Sequence, residues 1–367
     1  MEPQQDLPSA NRIGSDTNNF TALRLLLAIM VIVGHSPELI DGDRHREVLT
    51  SFFHTKSLGE VAVMGFFIIS GFLITQSWER SRGLVVFVQK RIARIYPGFL
   101  LAAVISGLVV GPLGAKSAAY FAAVNYGVFV RSLFFLHLDG LPPTFVGMPW
   151  AYVNGPLWSI PYEFICYLLL GMFGIAKMLC HRRIVVGLFV CVTLLWLMSD
   201  RFEASSPTIH TWFQKFESLT LIAPDVLLRC LACFLAGVSY YLYKPFWNGN
   251  VYILWLCGVV LFFCMFHGKA GSLAIVTVGA YLLFTVAFSN NSVLGRLSRL
   301  PDMSYGVYLY AWPIQKLLLW HLPRLSPWTL TALTVPLALL CGLISYRFVE
   351  QPCLRWKQRS VQGAKSL

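Results

Sequence analysis

Arg24 and His35 bracket the run 21–36, TALRLLLAIMVIVGHS, which is otherwise almost wholly apolar. A run of that length with so few charges reads as a membrane-spanning helix. Eleven positions separate the two side chains. That is about three helical turns and ~16 Å along the axis, so both point to one face and toward opposite sides of a bilayer. Ionisable groups within a bilayer are costly and turn to a protein interior or a watery cavity. One reading is a catalytic channel, with a fixed cation at one end and a proton-accepting imidazole at the other. The other is an Arg snorkelling to the headgroups and a His hydrogen-bonded at the interface.

Further along, Arg91 and Arg94 lie three apart in KRIARIYP, read here as a cytoplasmic loop, and share a face where the backbone is helical. Two guanidiniums on one face suit a phosphate, although a positive-inside loop explains such clusters equally. Glu163 follows a Pro- and Trp-rich stretch in NGPLWSIPYEF. Ser159, four residues earlier, can reach its carboxylate, and Trp158 with Tyr162 can form a ring-lined wall. Glu163 is then a general acid or base, a partner that orients an imidazole, or an interhelical hydrogen bond. In FFIISGFLIT, Ser70, Gly71 and Phe72 allow either close helix packing or a thin channel wall. Tyr305, Tyr308 and Trp312 fall on one face of a helix that Pro313 should kink. Asp225 and Arg229 are spaced for an intrahelical ion pair. Cys230 and Cys233 form a lone C-x-x-C in an apolar helix, so no metal site is expected.

The elements that must position these residues are membrane helices. Of 367 residues 56% are hydrophobic and only 13% charged, against about 25% in soluble domains. The chain therefore reads as an all-α, polytopic integral membrane protein. Ten spans are expected, at 20–40, 59–77, 95–114, 157–179, 184–198, 221–243, 251–266, 271–288, 305–321 and 328–348. The segment 118–138, interrupted by Asn125 and Arg131, is expected to lie in the interface or re-enter the protein. The first run is too long for a signal sequence and reads as a retained span. With the N-terminus in the cytoplasm, seventeen Lys and Arg fall inside and nine outside. Both termini are then cytoplasmic. The net charge of +12 follows from that bias and does not call for nucleic acid. Three parts are expected: a cytoplasmic segment 1–19, a membrane domain 20–350 and a basic tail 351–367.

Taken in order, RLLLAIMVIVGH, FFIISGF, KRIARIYP, PLWSIPYE, SYGVYLYAWP and SYRFVEQP resemble the acyltransferase 3 family over nearly the whole chain. The resemblance implies a ten-span bacterial inner-membrane protein that O-acylates an exported or surface glycan such as lipopolysaccharide or exopolysaccharide. Cytoplasmic acetyl-CoA is the implied donor, used as a substrate and not as a resident cofactor. Arg24 and His35 match the family's Arg-x10-His pair, and Ser70, Gly71 and Phe72 its SGF element. Arg91 and Arg94 match its donor-binding R-x-x-R, and Glu163 its acidic residue. Catalysis is then expected from His35 with Glu163 and Ser70, by direct transfer or through an acyl-enzyme on Ser70 or His35. Donor binding falls to Arg24, Arg91 and Arg94. Gly71, Phe72, Trp158, Ser159, Tyr305 and Tyr308 line the channel. The expected partners are acyl-CoA, a glycan or lipid-linked glycan and membrane lipids. One position departs from the pattern: Ala311 stands where many members carry a His before Trp-Pro. No hydrolase-like domain is expected after the tail. A transporter or flippase of a glycan or lipid-linked sugar is the alternative, though this sequence shows none of the internal pseudo-symmetry such proteins often have.

Overall fold

Apolar runs become helices at all ten expected places. In the computed structural model these are α1 (Phe20–Asp41), α2 (Leu58–Glu79), α3 (Leu84–Gly114), α4 (Gly155–Ile175), α5 (Arg182–Ser205), α6 (Pro224–Tyr243), α7 (Val251–Cys264), α8 (Gly268–Ala287), α9 (Ser304–His321) and α10 (Pro327–Arg355). Residues 18–115, 119–243 and 250–355 are described. Most of the N-terminal segment and of the basic tail lies outside them, as do Arg12, Lys116, Lys244, Lys357, Arg359 and Lys365 from the loop-charge comparison. No strand occurs among the described residues. Eight of the ten helices are long and apolar enough to cross a membrane. The other two are α7, with 14 residues, and α9, which carries Gln315 and Lys316 at its centre.

One expectation changes. Lys90, Arg91 and Arg94 are not in a loop but on α3, which begins eleven residues earlier than expected. Residues 119–138 of the segment expected at the interface hold two short helices, Tyr120–Ala123 and Tyr126–Phe134, whose residues are mostly exposed.

Helix α1 packs against α2, α9 and α10, so its Arg24–His35 face looks into the bundle. Helix α9 is the most enclosed, with every residue from Ser304 to Pro313 buried. A helix wrapped by protein can hold tyrosines, Gln315 and Lys316 because donors such as Gln315 Nε2 and Lys316 Nζ find partners there. Gln315 Nε2 donates to the Ile32 carbonyl at 3.0 Å and to Ser36 Oγ at 2.9 Å, tying α9 to α1. Helices α2 and α6 touch backbone to backbone. A Cβ on Gly71 would lie 1.9 Å from the Phe234 carbonyl oxygen, and one on Gly237 1.9 Å from that of Ile68. At the periphery, α5 and α7 turn Leu194, Trp255 and Phe263 outward, as lipid-facing helices do.

Candidate active site

His35 opens onto a cavity of about 670 Å³, shared with Glu38, Arg44, His137, Asp139, Trp150, Tyr152, Asn154, Trp158 and Trp312. Its Nδ1 stands 3.3 Å from Glu38 Oε2, one turn along α1. The other oxygen of that carboxylate accepts Arg44 Nε at 2.8 Å, so the acid is fixed from behind. Glu38 is buried while His35 stays partly accessible, its side chain 24% exposed. Trp312 stands edge-on to the imidazole, with ring centroids 5.0 Å apart. The constellation is an imidazole held by a carboxylate at one nitrogen and open to a ring-lined chamber. Burial pushes the second imidazole of that chamber, His137, below its ordinary pKa, and Asp139 opposes the shift.

Polar groups on α9 hold the roof of the chamber. Pro313 has no N–H, so the carbonyl of Leu309 loses its intrahelical partner. Asn154 supplies a replacement, its Nδ2 donating to the Leu309 oxygen at 2.9 Å. Lys316 Nζ donates to the Pro149 carbonyl at 2.8 Å, and Trp312 Nε1 to that of Tyr152 at 3.3 Å. Proline in α9 thereby fixes the loop that covers His35, and α9 itself continues through it.

At the other end of α1 lies a charged cluster. Arg24 and Arg94 both donate to one oxygen of Asp302, Oδ2, at 2.5 and 2.7 Å. Arg94 also meets buried Glu350 at 3.3 Å. Burial pushes the Asp302 carboxyl up, but Arg24 and Arg94, with Ser304 donating to it, outweigh burial and hold it at about 2. Arg91 differs from both. Its guanidinium donates to Ser77 Oγ at 3.1 Å and lies over the Phe87 and Tyr167 rings, and its buried Nε has no hydrogen-bond partner. Among the described residues it forms no ion pair.

Between the two ends is a cavity of only about 40 Å³, lined by Arg24, Phe66, Phe67, Ser159, Glu163, Tyr305 and Tyr308, among others. Within 137–163, residues up to Trp158 line the large cavity and those from Ser159 the small one, so this stretch of chain runs between them. Tyr308 Oη donates to the Pro156 carbonyl at 2.7 Å and pairs with Ser159 Oγ at 2.7 Å, closing that wall.

The expected site residues therefore fall into three groups. His35 and Trp158 face the large cavity. Arg24, Ser159, Glu163, Tyr305 and Tyr308 line the small one, with Arg91 and Arg94 beside it on α3. Ser70 joins Glu163 by donating to its carboxylate at 2.9 Å, and Tyr167 donates to the same oxygen. Neither meets His35: the carboxylate at the imidazole is Glu38, and Ser159 bonds Tyr308 in place of Glu163. Gly71 and Phe72 are packing residues here. Gly71 abuts α6, and Phe72 sits among Phe20, Tyr241, Phe284 and Phe288. Arg229 pairs at 3.5 Å with Glu60 on α2, not with Asp225.

Sequence reasoning passed over Glu38, Asp302 and Asn154. Each had a signal. His-x-x-Glu puts two groups on one helix face. A buried Arg24 demands a counter-ion. A mid-helix Pro313 leaves a carbonyl that needs a donor.

A family model described as an acyltransferase domain matches residues 17–347. The chain belongs to the acyltransferase 3 family. It is 29% identical over 350 residues to an O-acetyl transferase of Shigella phage Sf6, covering 91% of this chain and 95% of that protein. It is 26% identical to the acyltransferase MdmB of Streptomyces mycarofaciens, covering 92% and 91%. With nodulation protein 10 of Rhizobium leguminosarum bv. viciae it shares 25%, covering 95% and 96%. No solved structure matches the chain. The protein is a multi-pass membrane O-acyltransferase, which replaces the transporter alternative.

Proposed function

We propose that this enzyme moves an acetyl group from cytoplasmic acetyl-CoA to a sugar hydroxyl of an exported or surface glycan. The Arg24 end of α1 then faces the cytoplasm of a bacterial inner membrane. The observation that carries the reading is the placement, by one helix, of a carboxylate-held imidazole in a ring-lined chamber and of a guanidinium cluster three turns away. The phosphates of the donor suit Arg91, which no carboxylate pairs directly. Its pantetheine arm would follow the His35 face of α1, and to do so it must part Tyr308 from Ser159.

In the chamber, His35 takes the proton of the attacking hydroxyl as the new C–O bond forms at the thioester carbonyl. The C–S bond breaks, and the imidazolium returns the proton to the departing thiolate. Glu38 keeps Nδ1 protonated and Nε2 free, and it stabilises the imidazolium. Trp150, Tyr152, Trp158 and Trp312 offer ring faces to a pyranose. Ser70 lies with Glu163 beside the small cavity, which favours direct transfer to the acceptor over an acyl-enzyme on Ser70. Purified enzyme given acetyl-CoA and a glycan acceptor should release coenzyme A and acetylate the sugar. His35→Ala should reduce this by roughly 10²–10⁴-fold. Full activity of that variant would overturn the assignment.

A further inference from the structure

Resting on the donor reading above, we propose that Asp302 holds the place of a donor phosphate while the enzyme is unloaded, and that the donor binds by exchanging with it. Three observations carry this. One carboxylate oxygen, Asp302 Oδ2, is shared by guanidiniums from two helices, Arg24 of α1 and Arg94 of α3. A phosphate oxygen makes the same bridging contact, and a diphosphate has further oxygens for Arg91. The second acid of the cluster is unlike the first. Glu350 is fully buried, while the Asp302 side chain is 26% exposed and sits in the short connection that precedes α9. One carboxylate is fixed and the other can leave. Charge points the same way. Arg24 and Arg94 are matched by Asp302 and Glu350, whereas Arg91 has no direct ion pair and feels the Glu163 carboxylate only at longer range. A phosphate bearing two charges would give Arg91 a direct partner and replace Asp302 at once.

The exchange also reaches α9. Asp302 is braced by Ser304, whose Oγ donates to Oδ1 at 2.6 Å. The same helix carries Tyr308 at the wall between the cavities. Releasing Asp302 would free the start of α9 at the moment the wall has to open.

The test is the affinity of purified protein for coenzyme A, with thermal unfolding as a second readout. Asp302→Asn leaves Arg24 and Arg94 without their shared acid, so coenzyme A should bind at least about tenfold more tightly than to the wild type. Inorganic pyrophosphate should also raise the melting temperature of Asp302→Asn by more than it raises that of the wild type. If the variant yields folded protein only when such an anion is present, the proposal stands. If it yields none at all, Ser304→Ala decides: it loosens Asp302 without removing it and should tighten coenzyme A binding in the same direction. Unchanged or weaker binding in a folded variant overturns the proposal and makes Asp302 a brace. Wild-type protein that does not bind coenzyme A fails the donor reading itself, and this proposal with it. Loss of binding in Arg91→Ala alone supports the donor reading and leaves the Asp302 comparison to decide the rest.

Discussion

Two of the carboxylates that matter most here, Glu38 and Asp302, each answer a charge or ring that the sequence displayed openly. Arg24 and His35 were legible because an apolar run advertises any polar interruption. Their partners were not, because a counter-ion is chosen by tertiary packing. Asp302 lies 278 residues from Arg24. Glu163 was the more conspicuous acid, but α4 turns it to Ser70 and Tyr167. Replacing Glu38 by Gln should lower kcat by roughly tenfold or more and leave the KM for acetyl-CoA unchanged, since the residue acts on the imidazole and not on the donor. An unchanged kcat would remove Glu38 from the mechanism. Asp302 makes a pH prediction. Its carboxyl is held down at about 2 from an ordinary 3.8, so the ion pairs stabilise the fold fully above about pH 4. That contribution fades as pH falls from about 4 toward 2. Melting of wild type and Asp302→Asn in detergent, both free of added anions, should differ at pH 7 and converge at the acid end. A gap that stays constant with pH would contradict the pairing.

At the scale of elements, the ten helices could be read from hydropathy because a bilayer imposes one length and one composition. Loop boundaries were harder. Arg91 and Arg94 looked like loop residues only because charge was taken to mark the end of a span, whereas α3 carries them into the protein on a helix of 31 residues. The wall between the cavities was not legible at all, since Tyr308 and Ser159 meet across a sequence gap of 149. Two packing claims can be checked here. Gly71→Ala should cost about 1–3 kcal/mol, because its Cβ would press on the Phe234 carbonyl, while Gly258→Ala on lipid-facing α7, with open space around it, should be nearly neutral. Equal melting temperatures for the two would refute the close α2–α6 approach. Asn154→Ala should cost about 1–3 kcal/mol by orphaning the Leu309 carbonyl. In a Pro313→Ala background, where the helix regains its own N–H, that cost should shrink. An additive double mutant would mean that the pair is not coupled.

Across the whole molecule, a single helix carries an imidazole at one end and a guanidinium cluster at the other, enclosed by α2, α9 and α10. The family fixes the reaction class, and in the proposed mechanism the guanidinium end serves the donor and the imidazole end the acceptor. What separates the ends is thin, a hydrogen-bonded tyrosine and serine beside a 40 Å³ void. In the proposed reaction an acyl group passes through that wall from one side of the membrane to the other. The most direct measurement uses sealed vesicles containing the enzyme in one known orientation. Labelled acetyl-CoA is supplied only on the Arg24 side and the glycan acceptor only on the His35 side. Labelled acetyl should appear on the acceptor, be lost in His35→Ala, and leave coenzyme A on the side where the donor was added. Acetylation that occurs only when donor and acceptor share a compartment would contradict it.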